Sequence, residues 1–366
     1  MPRQSPRPNR PAHITPRHAA PPTPRYALEA DVIEGLEDFA GDELEARFGA
    51  RVRLGTNRPG AQRFGYSGDL RALLELRSVV AVYLVQQLDI PRPKALLGNQ
   101  QFGQISALAE AAIALATPGT FRTLRLSAAG ENSAVFMRFK EQLAARFGLT
   151  VAADEGDLLV RVRRAAEAEG WEVLVRLTPR PLATRAWRVC NLPGAMNASL
   201  AHAMAVLTAP RPSDTLLNVA CGSATLLIEW LALSQARRAI GCDTDPAALA
   251  CARQNLQAAG YAREVQLEAW DAGALLLDDA SVDVILGDLP FGQLVGTHRQ
   301  NIALYPQVLA EAARVARPGA RMALLTHEVR LLEQAADQFT EAWQVLEVLR
   351  VRTGGMTPRV VLFERR

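Results

Sequence analysis

Small residues follow the first apolar segment of the C-terminal half, at a point where the chain could meet a ligand. Residues 218–230 (NVACGSATLLIEW) predict a tight turn and then a helix, whose free N-terminal amides attract an electron-rich group. Gly222 and Ala224 keep large side chains out of the path of that ligand. The full GxGxxG pattern is absent, which argues against NAD and its pyrophosphate. Taken alone, an ordinary strand–turn–helix connection explains this loop about as well as a nucleotide site does.

Two acidic side chains stand where the next two apolar segments end. Asp243 comes 25 positions after Asn218, close to the spacing of about 20 at which an acid meets ribose hydroxyls in nucleotide-binding folds. We therefore expect Asp243 to bind a ribose. Asp245 precedes Pro246 and is expected to cap a helix. Asp271 could accept a hydrogen bond from an adenine amino group, although a loop-capping Asp is nearly as good an interpretation.

The fourth apolar segment ends in the sequence DLPF, formed by Asp288, Leu289, Pro290 and Phe291. An exocyclic amine on a planar base could donate to the Asp288 carboxylate and the Leu289 carbonyl while Phe291 stacks on the ring. These bonds would draw the amine lone pair out of conjugation and direct it at a methyl donor, with no metal or covalent nucleophile. A strand and a proline turn would explain DLPF alone. The preceding turn and two acids, in this order, favour amine methylation.

The elements that would position these residues alternate between strands and helices. We expect strands at 215–219, 239–242, 265–268, 282–287 and 321–325, with helices between them. This rhythm predicts a doubly wound α/β sheet, which binds ligands at the carboxyl ends of its strands. Residues 343–366 predict a hairpin, and an added antiparallel strand favours a methyltransferase-type sheet over a dinucleotide-binding one.

The N-terminal half predicts an α/β region with a basic segment. Residues 76–190 carry fifteen Lys or Arg and ten Asp or Glu, a net charge of +5. The alternating strands within it align Arg161, Arg163 and Arg176 on one face. A row of Arg is usually a solvated face, but the local charge favours a phosphate-binding surface.

Length and composition limit which classes of protein remain possible. With 366 residues, 49% hydrophobic and 22% charged, the chain is long enough for at least two globular domains. Residues 1–25 hold eight Pro and five Arg and predict a disordered tail, with or without a polyanion-binding role. No apolar run is long enough to span a membrane and no signal peptide is evident, so we expect a cytoplasmic protein. The four cysteines lack zinc spacing, and we expect neither a metal site nor disulfides.

The motifs together carry a family resemblance. Residues 218–325 resemble class I S-adenosylmethionine-dependent methyltransferases with the (D/N)PP(Y/F/W) box. GDLPFGQLVG and NIALYPQVLAEAARVARPGARMALLT resemble the THUMP-domain tRNA guanine-N2 methyltransferases, as do YALEADVIEGLEDFAGDELEARFG, GDLLVRVRR and PLATRAWRVCNLPGAMNASLAHAM upstream.

The resemblance implies three domains and a reaction. The domains are an N-terminal ferredoxin-like unit at 26–93, a THUMP RNA-binding domain at 94–188 and a Rossmann-like methyltransferase domain at 189–366 with an antiparallel final strand. The implied cofactor is S-adenosylmethionine, and the implied partner is tRNA. The implied product is N2-methylguanosine in the acceptor stem at position six. No membrane and no obligatory protein partner are implied, and we expect a monomer.

The resemblance also assigns site residues in the cofactor pocket. Asn218, Cys221 and Gly222 would line the methionine end, with Asp243 on the ribose and Asp271 near the adenine. Asp288 would border the cofactor and, with Leu289, Pro290 and Phe291, hold the guanine. Asn197 borders the cofactor in similar enzymes, although a helix-surface Asn is an equally fair interpretation.

Two further features follow from the comparison with the family pattern. Arg185, Trp187 and Arg188 would either contact RNA or lock two domains together. The family usually has an acid at the position of Asn218 and Gly at that of Ala224. The extra methyl at Ala224 would narrow the room for the methionine portion, and cofactor affinity could be reduced.

Other functions fit parts of the pattern. The changes at Asn218 and Ala224 would also suit an RNA-binding protein with a silent methyltransferase fold. The DLPF box specifies an amine and not its carrier, so guanine in ribosomal RNA, or adenine or cytosine in DNA, would be alternative targets. A nucleotide-dependent oxidoreductase is disfavoured by the missing GxGxxG pattern.

Overall fold

The computed structural model describes residues 24–166, 169–290 and 297–366. The predicted N-terminal tail lies almost wholly outside the described residues. Two β-sheets organise the described part, one of eight strands in the N-terminal half and one of seven strands in the C-terminal half. The expected mixed α/β class is confirmed.

The first sheet contains strands from both halves of the N-terminal region. In chain order the strands are β1 (Tyr26–Asp31), β2 (Val52–Arg58), β3 (Ala61–Tyr66), β4 (Ala81–Leu88), β5 (Thr123–Ala128), β6 (Thr150–Val151), β7 (Leu158–Arg164) and β8 (Trp171–Arg176). Helices α1 (Glu37–Phe48), α2 (Asn99–Ile113) and α3 (Ala134–Phe147) belong to the same region. The strand order is β2-β3-β1-β4-β8-β7-β5-β6, so β4 and β8 join the two expected N-terminal domains in one continuous sheet.

The second sheet has mostly parallel strands. They are β9 (Thr215–Val219), β10 (Arg238–Cys242), β11 (Val265–Glu268), β12 (Val282–Asp288), β13 (Ala316–Thr326), β14 (Trp343–Arg350) and β15 (Arg359–Arg365). The order is β11-β10-β9-β12-β13-β15-β14, and only β15 and its two neighbours pair antiparallel. The helices are α4 (Ala198–Leu207), α5 (Thr225–Leu231), α6 (Pro246–Ala259), α7 (His298–Val315) and α8 (Val329–Ala336).

Buried apolar runs explain why the sequence located these strands. All five residues of β9 are buried, as are most of those of β12, because helices cover both faces of a parallel sheet. The five predicted strands and the C-terminal hairpin are confirmed within a few residues, and so is the antiparallel final strand.

A buried ion cluster joins the two halves of the chain. Glu229 of α5 is fully buried, and its carboxylate oxygens lie 2.9 Å from Arg77 Nη1 and 2.8 Å from Arg185 Nε. His202 Nδ1 of α4 lies 3.3 Å from the same carboxylate. Burial alone would raise the pKa of Glu229, but the nearby His202, Arg185 and Arg77 outweigh it and lower the pKa to about 2. The expected separation into independent domains is therefore bridged by charge as well as by packing.

The expectation that the chain has no disulfide is wrong. Cys190 and Cys251 form a disulfide between the segment before α4 and helix α6. The two cysteines are 61 residues apart in sequence, so no local pattern predicts that they pair, because only the folded chain brings the two thiols together. Asn255 strengthens the same junction, since its side chain accepts from the backbone N–H of Cys190 and donates to the Cys190 carbonyl.

Within the described ranges, no group of three or more His, Cys, Asp or Glu residues is arranged to hold a metal ion. No helix in this part of the chain has the length and apolar character needed to cross a membrane.

Candidate cofactor and substrate site

A cavity of about 400 Å³ opens where β9, β10 and β12 end. The chain leaves β9 on one side of the sheet and β12 on the other, and this switch point is where open α/β sheets bind ligands. Five of the predicted cofactor residues line the cavity, together with two residues of the DLPF box: Cys221, Gly222, Asp243, Asp271, Asp288, Leu289 and Pro290. Their functional roles stay predictions.

The turn after β9 adopts a left-handed backbone at three positions. Ala220, Gly222 and Ala224 have φ values of 46°, 52° and 64°. A Cβ built on Gly222 would meet no protein atom within 4 Å. Since Gly222 lines the cavity, a ligand could approach its backbone closely.

Ala224 lies at the end of this turn and does not contact the cavity. The residue is fully buried and precedes helix α5. A left-handed backbone explains why glycine suits this position. The structure therefore gives no support to the expectation that the Ala224 methyl narrows the methionine pocket.

The acids after β10 and β11 fix the neighbouring loops. The Asp243 carboxylate accepts from the backbone N–H of Gly222 at 2.9 Å and of Asp245 at 3.0 Å. Asp245 caps α6 through Ala247 N–H, as predicted. Asp271 accepts from the N–H of Gly273 at 2.8 Å, which is the loop-capping role weighed above, while its exposed side chain still borders the cavity.

These residues fit the cofactor that the sequence implies. An acid that borders the cavity and is already oriented by two backbone amides suits a pair of ribose hydroxyls. The open space over Gly222 accommodates a ligand that passes close to the backbone. Residues 192–196 and the partly buried Trp270 supply apolar walls. The cavity volume lies within the range of about 300–1,000 Å³ of small-molecule sites.

Two expected cofactor residues lie outside the cavity lining. Asn218 is fully buried and donates to the carbonyls of Val219 and Leu286, each at 3.1 Å, so it ties β9 to β12. Asn197 caps α4 by accepting from Ser199 N–H at 2.8 Å. The structure favours a structural role for both asparagines in the ligand-free chain.

Asp288 lines the cavity in a strongly buried environment. It is the last residue of β12, and its Oδ1 atom is buried with no hydrogen-bond partner in the part of the chain that the structure describes. Burial raises the pKa of this carboxyl group to about 7. A buried, unpartnered acceptor at the cavity wall is a strong indication of a missing donor from a ligand.

The next two residues are held by the surrounding sheet and helix. Leu289 N–H donates to the Leu325 carbonyl at 3.0 Å, which extends the pairing of β12 with β13. No described residue donates to the Leu289 carbonyl. Phe291, the expected stacking residue, lies outside the described residues.

Sequence reasoning missed much of the opposite wall. Residues 192–196 precede α4 and line the cavity, and so do Thr244 and Trp270. Trp270 stands directly before Asp271, and an aromatic residue at a strand end was the available signal. The segment 192–196 carried no such signal in the residues themselves, because its place depends on the docking of α4.

The five arginines expected to bind RNA all have partners within the protein. Arg161 pairs with Asp31 at 2.7 Å, and Arg163 bonds both Glu29 and Glu172 at 2.6 and 3.0 Å. The predicted common face is real, but acids from neighbouring strands share it.

The side chains of the remaining three arginines are more buried and are bound by atoms of the protein itself. Arg176 is 7% exposed and donates to the Thr178 carbonyl at 2.7 Å. Arg185 pairs with Glu229, and Arg188 donates to the Met196 carbonyl at 2.7 Å and to Thr225 at 3.0 Å. Of the two roles considered for Arg185 and Arg188, the structure favours locking the halves of the chain together.

Comparison with known proteins agrees with this architecture. The family model described as UPF0020, RMKL-like methyltransferase domain, matches residues 185–359. A tRNA (guanine(6)-N2)-methyltransferase of Thermus thermophilus is 30% identical over 348 residues, which cover 92% of this chain and 99% of that protein. The chain belongs to the tRNA (guanine-N2)-methyltransferase family.

Other members of this family match in part or in structure. A mouse tRNA (guanine(6)-N(2))-methyltransferase, THUMP3, is 30% identical over 185 residues, 47% of this chain and 37% of the mouse protein. The match thus spans little more than a third of that relative. The crystal structure of TrmN from Thermus thermophilus superposes with a TM-score of 0.72 at 27% identity, covering 93% of this chain and 100% of TrmN. The family and the class I methyltransferase fold expected from the sequence are confirmed.

Proposed function

We propose that this chain transfers a methyl group from S-adenosylmethionine to the exocyclic N2 amine of a guanosine in tRNA, giving N2-methylguanosine. The position we propose is nucleotide six, in the acceptor stem; the name of the Thermus thermophilus relative specifies guanine 6 for that protein. One observation carries the chemistry: the buried, unpartnered Asp288 carboxylate oxygen at the cavity wall.

An exocyclic amine matches the acceptors at this corner. The amine has two N–H donors, and the corner offers the Asp288 carboxylate and the Leu289 carbonyl. Acceptors outside the plane of the ring would weaken the conjugation of the nitrogen lone pair and favour its attack on a methyl donor. As the N–C bond forms and the donor's S–C bond breaks, the amine must release one proton, and the Asp288 carboxylate would accept it. S-adenosylmethionine supplies an electrophilic methyl group when bound. Asp243, with Gly222 at the turn, would hold the cofactor's ribose and methionine portions on the adjoining wall.

A base in a stem must leave its stack before it reaches this corner, at a cost of a few kcal/mol. Phosphate contacts along the N-terminal half would offset that cost without reading bases. Because Arg161, Arg163 and Arg176 are engaged within the protein, we assign these contacts to exposed basic side chains of the same region, including Arg92, Lys94 and Arg138. We further propose that the chain acts on tRNA as a monomer in the cytoplasm.

The test is methyl transfer from labelled S-adenosylmethionine to total tRNA. The wild-type chain is expected to label tRNA, and Asp288→Ala to lose at least about a hundredfold in rate because the amine loses its carboxylate acceptor. Asp278→Ala is the matched control, since Asp278 is an exposed acid of the same domain.

Mass spectrometry of digested tRNA then locates the product. N2-methylguanosine at position six would support the proposal in full. Label on ribosomal RNA or DNA but not on tRNA would refute the proposed substrate, and undiminished transfer by Asp288→Ala would remove Asp288 from its role. Absence of heat on titration with S-adenosylmethionine would favour an RNA-binding protein with a silent fold.

A further inference from the structure

A buried polar cluster contacts the DLPF box through Pro290, and none of its residues lines the cavity. It is formed by Asn301 and Tyr305 of α7, Thr326 at the end of β13, and Glu328 just before α8. Asn301, Tyr305 and Thr326 are fully buried. Buried polar side chains are costly unless they form hydrogen bonds, and among the described residues only Asn301 Oδ1 of these three side chains lacks a partner.

The cluster converges on one backbone atom, the carbonyl oxygen of Pro290. Asn301 Nδ2 donates to this oxygen at 2.8 Å and the Tyr305 hydroxyl donates at 2.9 Å. Asn301 and Tyr305 are four residues apart on α7, so they share one face of the helix. The two donors occupy both lone pairs of the carbonyl.

The donors are themselves oriented by further bonds. Asn301 Nδ2 also donates to Glu328 Oε1 at 2.5 Å, so both hydrogens of the amide have acceptors. Glu328 N–H donates to Thr326 Oγ1 at 2.9 Å, and Thr326 Oγ1 lies 3.0 Å from the Tyr305 hydroxyl. Since Tyr305 gives its single hydrogen to Pro290, Thr326 must donate to Tyr305. The result is a directed chain from Glu328 N–H through Thr326 and Tyr305 to Pro290.

This arrangement fixes the peptide group between Leu289 and Pro290, whose carbonyl the proposed reaction uses. Leu289 is held through its N–H by the Leu325 carbonyl, and Pro290 is held through its own carbonyl and its ring. The Leu289 carbonyl, between these two anchors, is the acceptor left without a donor among the described residues. Its direction is therefore constrained by the bonds at Leu289 N–H and at the Pro290 carbonyl.

We propose that Asn301, Tyr305 and Thr326 are positioning residues for methyl transfer: their hydrogen bonds to and behind the Pro290 carbonyl aim the Leu289 carbonyl at the target amine. The inference rests on the proposed function. It predicts that loss of these bonds slows the chemical step and leaves cofactor binding intact, because no atom of the three residues lines the cavity. A displacement of about 1 Å at a reacting group can cost about a hundredfold in rate.

The experiment compares variants that remove one bond each in the full-length chain. Tyr305→Phe deletes the hydroxyl and keeps the ring, and Asn301→Ala deletes the amide. We expect kcat with tRNA to fall roughly ten- to a hundredfold in each, with the KM for tRNA and the calorimetric Kd for S-adenosylmethionine within about threefold of wild type. Tyr261→Phe, a tyrosine of the loop after α6, is the matched control and should retain wild-type kcat.

A pair of substitutions at Thr326 separates positioning from simple stability. Thr326→Ser keeps the hydroxyl in the hydrogen-bond chain and should retain most of kcat. Thr326→Val keeps the shape and removes the hydroxyl, and should lose kcat as Tyr305→Phe does. If Tyr305→Phe or Asn301→Ala does not fold, this pair decides the question.

The outcomes also separate this inference from the proposed function. An active wild-type enzyme with Tyr305→Phe, Asn301→Ala and Thr326→Val at wild-type kcat would overturn the inference alone. Variants that lose S-adenosylmethionine affinity in proportion to activity would also overturn it, since they would show a structural role in the cavity. A wild-type chain that methylates no tRNA would overturn the proposed function, and the inference with it.

Discussion

In the proposed reaction, Asp288 is costly to the stability of the free protein and contributes to the binding of the target amine. Its carboxyl group is buried, and burial raises its pKa to about 7, so near neutral pH the free protein holds a mixture of acid and carboxylate. In the proposed complex the carboxylate form accepts a hydrogen bond from one N–H of the amine, while the Leu289 carbonyl accepts from the other. An amine ligand therefore binds the form that the empty protein disfavours, and the bond it donates offsets part of the cost of burying charge.

The first prediction is a pH dependence with a definite direction. Because the carboxylate is the active form, kcat/KM for tRNA should rise about tenfold per pH unit below 7 and level off above it. Rates between pH 5.5 and 8.5 at constant ionic strength measure this. Asp288→Asn should give a low and flat profile. A wild-type profile that is flat across pH 6 to 8 would contradict the assignment.

The second prediction concerns stability: the ionised Asp288 carboxylate, which favours activity, lowers the free energy of unfolding. A carboxyl whose pKa is raised in the folded state, here from 3.8 to about 7, carries no penalty at low pH and its full penalty above about pH 7. Asp288→Asn should therefore stabilise the ligand-free protein at pH 8, by up to about 4 kcal/mol, and change little at pH 4. Urea unfolding at the two pH values measures the difference, with Asp278→Asn as control. An equal effect at both pH values would exclude the explanation.

At the scale of elements, the cavity is built from strand ends and one connecting segment. The strand ends carry Asp243, Asp271 and Asp288, and the segment 192–196 faces them. That segment is fastened to α6 by the Cys190–Cys251 disulfide and by Asn255. Helix α6 also contributes Ala248 to the cavity lining. One helix thus anchors two walls of the site.

The disulfide yields a third prediction. Alkylation of the unfolded, unreduced chain should label two cysteines, Cys221 and Cys242, and four after reduction. Cys251→Ser should give three labelled thiols without reductant, because Cys190 is released. Reduction should lower the free energy of unfolding by about 4 kcal/mol in the chain-entropy account for a 61-residue separation. Four labelled thiols in the unreduced wild-type chain would contradict the pairing.

The basic elements of the N-terminal half yield a fourth prediction. The turn Pro93–Leu97 packs beside α3, which brings Lys94 and Arg138 onto adjoining exposed elements. Lys94→Gln with Arg138→Gln should weaken tRNA binding about tenfold at low salt and reduce the slope of log Kd against log salt by up to about 2.

The control for this pair has the same loss of charge elsewhere. Arg253→Gln with Arg263→Gln removes two exposed charges from α6 and the loop after it, and should leave both quantities nearly unchanged. Equal effects of the two pairs would mean that general charge, and not this surface, governs RNA binding.

The elements also show which parts of the structure the sequence could predict. Parallel strands such as β9 and β12 were located because their burial on both faces appears as a local apolar run. Strand β2 leaves little signal in the sequence because its residues are mostly exposed and its pairing with β3 is irregular between Leu54 and Asn57. Hydrophobic periodicity reflects which residues are buried, so an exposed edge strand shows little periodicity in its sequence.

The same distinction applies to the site: some of its features could be predicted from local sequence and others could not. Asp243, directly after β10, and Asp288, the last residue of β12, both line the cavity because the fold fixes where strand ends meet, and their functional roles stay predictions. The acids that neutralise the arginine row were not foreseen, since Glu29 lies 134 residues from Arg163 in the chain. The neighbours of a strand in a mixed sheet are a tertiary property, and no local pattern records them.

At the scale of the whole molecule, the two sheets share one hydrophobic core. A single cluster of buried residues runs from Leu28 of β1, through Trp187 and Met204, to Leu362 of β15. The Ser199 hydroxyl of α4 donates to the Val79 carbonyl at 2.8 Å across the same boundary. Glu229 lies within it, bound by Arg77 from one half and Arg185 from the connection. The N-terminal and C-terminal halves are therefore joined by apolar packing, a hydrogen bond and ion pairs.

The last prediction follows from that shared core. Arg185→Met leaves the buried Glu229 carboxylate with one fewer partner and should cost about 3–5 kcal/mol of unfolding free energy. Arg180→Met, which breaks the exposed pair with Glu155, is the matched control and should cost less than about 1 kcal/mol. Because the pKa of Glu229 is lowered from 4.5 to about 2, its stabilisation is complete above about pH 4.5 and is lost as the pH falls toward 2.

In wild type, hydrogen exchange in β4 and β9 should report one common unfolding transition in urea. Two separate transitions would show that the halves fold independently and that the ion cluster does not join them.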